Sequence, residues 1–503
     1  MKKHHWIAIF LPLVFLMGCA ANGGESIPAA SVDATVPTAR PDVVRTVYEP
    51  ETGLVAPPSV VLKVETREQY QLLGGEHPPQ AAWFVLDDGG KEIILGEERL
   101  ALADAFSTCY GKIIPFFELK TVTAAQFLQS FSKQSRTMDF LVISDTPEVL
   151  KEIDLTGVRK ALITNEKGAA CAWQVHEAGA DIAVLSEATR VETEYLQLRL
   201  ISVLLRPHGD SEAAGRSAVA CGANHVAVSD HDAVYRLYEQ ITEPKTFVRR
   251  PFIAAHRGVP NVAPENSVES FLEAVKAGAD AVECDVYLTA DGHLAIHHDE
   301  TLKRTTVEKT GAVVESLTRE ELKSYTLSPV GAYSDCKIAF LDEFYDLMRD
   351  NSIHLIVEVK SKNPECVAKI RELTERYGML DRINIISFNF EQVLLSRQMM
   401  PEVGAALIVN VGNNPADKLL RSAYAQTAGA NGAYCPSQGF SGEGVRAMQH
   451  RGIPVNLWTV DGLEDMVAAA ERGIAILTTN TTTDRIFVDL VTAPVELALP
   501  QQE

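Results

Sequence analysis

Basic residues are in short supply: 46 Lys and Arg stand against 67 Asp and Glu, a formal charge of −21. A surface of that sign repels a polyphosphate backbone, which excludes non-specific nucleic-acid binding. Cysteine is scarce too, with eight in 503 residues and no C-x-x-C spacing. Neither a structural zinc site nor a disulfide framework has support, and the seven cysteines after Cys19 read as free thiols. Outside the extreme N-terminus no apolar run reaches the roughly 18–20 residues of a spanning helix. What is present is ordinary for a globular chain: 46% hydrophobic and 22% charged residues. A sizeable core is possible, wholesale disorder is excluded, and the length allows two or three domains.

The N-terminus reads as a targeting signal. Lys2 and Lys3 precede an apolar run from Trp6 to Met17, closed by Leu16-Met17-Gly18-Cys19. The run is too short to span comfortably and has the flanks of a signal peptide. Its end resembles the lipobox of bacterial lipoproteins, which implies cleavage after residue 18 and acylation of Cys19. The expected location is therefore extracytoplasmic, with the protein anchored to a membrane by its lipid chains. Residues 19–48, rich in Ala, Pro, Ser, Thr and Val, read as a flexible tether.

Beyond it, β-rich runs alternate with amphipathic helices. A break near 243–251, marked by Pro244 and Pro251, divides the chain into 49–246 and 247–495. In the second part, strands are predicted at 252–256, 280–287, 293–298, 354–360, 383–388, 404–409, 431–435, 454–460 and 474–478. About 245 residues with some eight strand–helix units point to an α/β fold, a closed (β/α)8 TIM-type barrel. Nine strands is one too many. The Asp291-Gly292 turn marks the 280–298 stretch as a hairpin that departs from the alternation.

Barrel chemistry gathers at the carboxyl ends of strands. His256 ends the first predicted strand and is followed by Arg257. Glu283 and Asp285 lie two apart and share a face, with Cys284 on the other. His298 ends the next strand, and Glu358 and Lys360 again share a face. Three carboxylates suit a hard divalent cation such as Ca²⁺ or Mg²⁺. Arg257 and Lys360 beside that cation make a pocket for one anionic group, and two histidines can exchange a proton around it. That set describes phosphodiester cleavage. His297 competes with His298, but alternation aims it at the opposite face. His293 and His354 fit no role and read as surface or packing residues.

The ordered series Ala255-His256-Arg257-Gly258, Pro264-Glu265-Asn266-Ser267, Glu283-Cys284-Asp285-Val286, His298-Asp299, Arg304-Thr305-Thr306, Val357-Glu358-Val359-Lys360, Ser387-Phe388 and Trp458-Thr459-Val460 resembles the glycerophosphodiester phosphodiesterase family. The resemblance implies His256 and His298 as the acid/base pair. It implies Glu283, Asp285 and Glu358 as ligands of one divalent cation, and Arg257 and Lys360 as phosphate contacts. Glu265 and Trp458 are candidates for the substrate pocket. The expected reaction is metal-dependent hydrolysis of a small glycerophosphodiester to glycerol phosphate and an alcohol. Three departures stand out. Thr478-Thr479-Asn480-Thr481 stands where the family often has Thr-Asp-x-Pro, Ala339-Phe340 where Pro-Thr is common, and Asp461 follows Val460 where Asn is more usual.

The first part, 49–246, repeats the pattern without the chemistry. Leu102 to Phe106 leads through a helix to Ile114–Lys120, as Phe340 to Phe344 leads to Leu355–Lys360. No His-Arg-Gly follows Val60-Val61-Leu62, and no Glu-x-Asp lies in Trp83-Phe84-Val85-Leu86. Asp87 and Asp88 read as a turn. The expectation is a degenerate, non-catalytic second barrel. Two alternatives remain open from sequence: a non-catalytic lipoprotein binding glycerophosphate polymers, or a phospholipase-D or lyase-type enzyme on the same fold.

Overall fold

A computed structural model describes residues 47–482, apart from Arg136, Met138, Thr156 and the segments 409–431 and 437–441. The signal segment, Cys19, most of the tether and everything past 482 lie outside the described residues.

The first barrel closes from eight parallel strands: β1 (Ser59–Val64), β2 (Ala81–Val85), β3 (Ile114–Glu118), β4 (Leu141–Ser144), β5 (Arg159–Ile163), β6 (Ile182–Leu185), β7 (Ser202–Leu205) and β8 (His225–Val228). Each strand pairs with the next, and β8 returns to β1. The strands read as near-continuous apolar runs because both faces are covered. Val61, Trp83, Phe116 and Ile143 fill the interior. Val60, Leu62, Phe84 and Phe117 pack outward under the helices. A short seam pairs Leu54–Val55 with Thr246–Phe247, so residue 247 belongs with this barrel.

The second barrel runs β9 (Phe252–Ala255), β10 (Ala281–Leu288), β11 (Leu294–Ile296), β12 (Ala339–Phe340), β13 (His354–Val359), β14 (Ile383–Ser387), β15 (Gly404–Ile408), β16 (Gly432–Pro436), β17 (Val455–Trp458) and β18 (Ile476–Thr479). Eight of these are parallel and close through β9, which pairs with both β10 and β18. The surplus strand of the sequence reading is β11, antiparallel to β10 through the predicted turn, with β12 added beyond it. Val268–Lys276 and Glu365–Tyr377 are helical close to where the apolar spacing predicts.

The amino ends of the two sets of strands meet. Leu200, fully buried at φ 62°, joins Phe252, Ala254, Ala281, Ile356 and Ile476 in the interior cluster of the second barrel. A non-glycine residue held there costs about 1–3 kcal/mol of backbone strain, which the packed contact must offset. In return, the His450–Gly452 turn of the second barrel reaches the floor of the first. His450 Nδ1 lies 2.7 Å from Ser59 Oγ, and Ser202 Oγ donates to the Gly452 carbonyl at 3.0 Å. Arg451 grips Asp139 with two bonds of 2.8 Å. Each barrel is thus the other's floor, and their carboxyl ends face away from one another.

Candidate active site

Alternation along β10 turns Ala281, Glu283 and Asp285 inward, while Val282, Cys284 and Val286 pack outward. Along β13, Ile356 and Glu358 face inward in the same way, and register sets Asp285 directly opposite Glu358. Glu283, Asp285 and Glu358 are all buried, and one oxygen from each lies within 4.8 Å of the others. Glu283 Oε1 and Asp285 Oδ1 have no hydrogen-bond partner. Three converging carboxylates are more negative charge than the neighbouring Lys360 and Arg257 neutralise in a dry site. Burial, then the charges of Asp285 and Glu358, push the Glu283 carboxyl well up. Burial and Asp285 likewise raise Glu358. Asp285 is held low against its own burial by Lys360, His298 and Arg257. An all-oxygen, electron-rich cluster of this kind fits a divalent cation.

The turn after β9 supplies the next groups. Arg257 sits at φ 57° and its backbone N–H donates to Glu283 Oε2 at 3.0 Å. Its guanidinium lies 3.1 Å from Glu265 and 3.6 Å from Asp285. Gly258 follows at φ 82°, where a Cβ would come within 2.6 Å of the Ser270 carbonyl carbon. Only glycine allows that approach, which explains the third residue of His-Arg-Gly. Lys360 Nζ contacts Glu358 at 2.8 Å and Asp285 at 3.4 Å. Those two carboxylates outweigh burial and raise the Lys360 ammonium to about 12.

The two histidines differ in how they are held. His256 Nδ1 lies 2.9 Å from Asn480 Oδ1. Asn480 is fixed in turn by Asp461, which accepts from its Nδ2 at 2.9 Å and from its backbone N–H at 2.7 Å. An amide oxygen only accepts, so His256 carries its proton on Nδ1 and leaves Nε2 free. Burial, then Arg257, lowers the His256 pKa and keeps the ring neutral. His298 Nδ1 contacts the Asp299 carboxylate at 2.7 Å. Arg304 clamps Asp299 from behind through Nε and Nη2 at 2.7 and 2.9 Å and reaches Glu265 through Nη1 and the same Nη2. His297 is turned away, bonded to Thr305 Oγ1 and the Asp299 carbonyl. His293 is exposed, and His354 is buried at the floor.

Trp458 stands at the mouth, partly buried, edge-on to Phe388 at 5.7 Å. Phe388 is 46% exposed, with Lys360 Nζ 5.8 Å from its ring centre. All nine sequence candidates of this half therefore gather around one mouth: His256, Arg257, Glu265, Glu283, Asp285, His298, Glu358, Lys360 and Trp458. Asn266 was not singled out. It sits at φ 60° and donates from Nδ2 to Asp285 Oδ2 at 2.8 Å. Its signal was the Pro-Glu-Asn-Ser run. The Asn480–His256 contact spans 224 residues and has no local signal.

The profile of the glycerophosphoryl diester phosphodiesterase family matches residues 256–483. An uncharacterized protein YqiK of Bacillus subtilis is 30% identical over 229 residues, 44% of this chain and 91% of that protein. A glycerophosphodiester phosphodiesterase of Caldanaerobacter subterraneus is 30% identical over 231 residues, 45% of this chain and 92% of that one. The chain belongs to this family. Among solved structures, a putative glycerophosphoryl diester phosphodiesterase from Silicibacter pomeroyi covers 49% of the chain and 96% of its own, with TM-score 0.44 and 21% identity. The family match falls on the second barrel, where the whole phosphodiesterase site described above lies.

Proposed function

We propose that the second barrel hydrolyses small glycerophosphodiesters with a divalent cation, Ca²⁺ or Mg²⁺, held by Glu283, Asp285 and Glu358. We further propose that the chain works outside the cytoplasm, tethered by acylated Cys19. The observation that carries the catalytic reading is the buried carboxylate triad flanked by two differently held histidines and two cations. The cation, when bound, stabilises charge on the phosphoryl oxygens.

The side chains supply the rest. Arg257 and Lys360 bind and orient the phosphate by charge-assisted hydrogen bonds. Neutral His256, with Nε2 free, takes the proton from the substrate hydroxyl as its oxygen attacks phosphorus. His298, its Nδ1–H held by Asp299, gives a proton to the departing alcohol oxygen as the P–O bond breaks. Water then opens the cyclic phosphate with the two histidines in reversed roles, leaving glycerol phosphate. Phe388 and Trp458 wall one side of the mouth against the alcohol.

The test is turnover of several glycerophosphodiesters by the purified chain, in chelator and with Ca²⁺ or Mg²⁺ restored. The reading predicts activity that chelator removes and metal returns. Full turnover in excess EDTA overturns the metal assignment.

A further inference from the structure

The carboxyl-end mouth of the first barrel is left unused by this chemistry, yet strand register matches it to the second residue by residue. Asp285 faces Glu358, and in the first barrel Val85 faces Glu118. Glu283 faces Ile356, and Trp83 faces Phe116. Lys63 faces Trp83 and so takes the place of His256, one step beyond the Ala255–Val282 pair. Lys120 follows Glu118 by two, as Lys360 follows Glu358.

We infer that this first mouth binds a phosphate-type anion without cleaving it, through Lys63, Lys120 and Arg206 around the Trp83 ring. The inference stands apart from the roles given to the second barrel. Two of the three inward carboxylates are replaced by Trp83 and Val85, which removes the need for a metal. The third, Glu118, accepts from Trp83 Nε1 at 2.9 Å and lies 4.0 Å from Lys120. The Arg206 guanidinium stands 5.7 Å from the Trp83 ring centre and has no carboxylate partner among the described residues. Lys63 is paired with Glu65 at 2.7 Å. Two of the three cations thus have a carboxylate neighbour, and the Arg206 guanidinium has none among the described residues.

Of the rim acids, Asp145 accepts from the Thr146 hydroxyl at 3.0 Å, Glu187 pairs with Lys167 at 3.1 Å, and three others are engaged by backbone. Asp87 accepts from the N–H of Lys91 and Glu92 at 2.8 and 2.9 Å, and Asp210 and Asp230 cap helices. A tetrahedral anion with several oxygens can engage a guanidinium fork and ammonium groups together. With Lys63 in the place of His256 and Trp83 and Val85 in the places of Glu283 and Asp285, the mouth lacks both the metal carboxylates and the neutral base of the second barrel, so we assign it binding only.

The tryptophans make the experiment specific. In the intact chain labelled with ¹⁵N-tryptophan, the Trp83 indole reports the first mouth and the Trp458 indole the second, with Trp173 as a control. Trp→Phe variants at these three positions assign their resonances and set them apart from that of Trp6. Inorganic phosphate, sn-glycerol 3-phosphate and phosphatidylglycerol vesicles are titrated separately. The expected result is a saturable shift of Trp83, weakened at least about tenfold in Arg206→Ala and in Lys63→Ala, as loss of one charge-assisted contact requires. Trp173 should not move, and Trp458 should respond alike in both variants and the parent. A response to the free ions identifies a soluble phosphate ligand, and a response to vesicles alone identifies a lipid headgroup. A Trp83 resonance unmoved by all three probes overturns the inference, as does a shift of equal affinity in both variants. Because Trp458 is read in the same titration, failure at one mouth is distinguished from failure at the other.

Discussion

Three inward positions matched by register separate the barrels: His256, Glu283 and Asp285 in one are Lys63, Trp83 and Val85 in the other. Everything around them is shared in outline, from the parallel ring to the Glu-x-Lys at the end of the third ring strand. In the second barrel those two carboxylates, with Glu358, gather three buried acids against two neighbouring cations, Arg257 and Lys360. In the first, an indole fills the space and ties up the remaining glutamate. The comparison teaches that eight parallel strands fix where chemistry can happen, while the inward side chains at their carboxyl ends set what each mouth can hold.

The comparison breaks most completely if the second barrel works alone. Expressed as 248–503, it would lose Leu200 from its interior and expose Phe252, Ala254 and Ile476 at its floor. We expect insoluble or unfolded protein by circular dichroism; a folded, active fragment would show the first barrel to be dispensable. Next in size are the histidines. His256→Ala and His298→Ala should each lower turnover at least about 10²-fold, the scale of acid–base catalysis. His297→Ala should cost far less, through its bond to Thr305. An essential His297 with a dispensable His298 would put the strand register off by one.

The join between the barrels can be weakened without touching either mouth. Arg451→Ala removes the two charge-assisted bonds to Asp139 and should cost about 2–3 kcal/mol in denaturant unfolding. Acid acts across the same join, one histidine at a time. His176 Nδ1 contacts the Glu402 carbonyl and His225 Nε2 the His450 carbonyl, both across the join. Burial pushes these rings down to about 4 and about 3, so both are neutral when folded. The unfolded chain binds protons from about pH 6.5 downward. Stability is therefore present above that pH and lost as pH falls toward the folded values, by about 2 kcal/mol for each histidine at pH 5. Unfolding midpoints at pH 7 and pH 5 check this, and His176→Gln should flatten the dependence.

Much of this was legible in the sequence. Each predicted strand of the second half lies within a few residues of an observed one, because apolar runs bounded by turns are a local signal. The site was legible for the same reason: Glu283/Asp285 and Glu358/Lys360 declare a shared face by their spacing. The floor-to-floor join was not. Leu200 reads as an ordinary apolar residue after a helix, and neither its positive φ nor its partner barrel has a local signature. Asn480 and Asp461 stood out only as departures, and their link to His256 needed the closed ring.

Glu283→Gln tests the central claim most directly, because it removes one carboxylate from the mouth held responsible for all turnover and leaves the first barrel whole. In the intact chain, with saturating Ca²⁺ or Mg²⁺, hydrolysis of a small glycerophosphodiester should fall to background while the unfolding midpoint is kept. Turnover retained at the parent rate would contradict the account and place the chemistry elsewhere in the molecule.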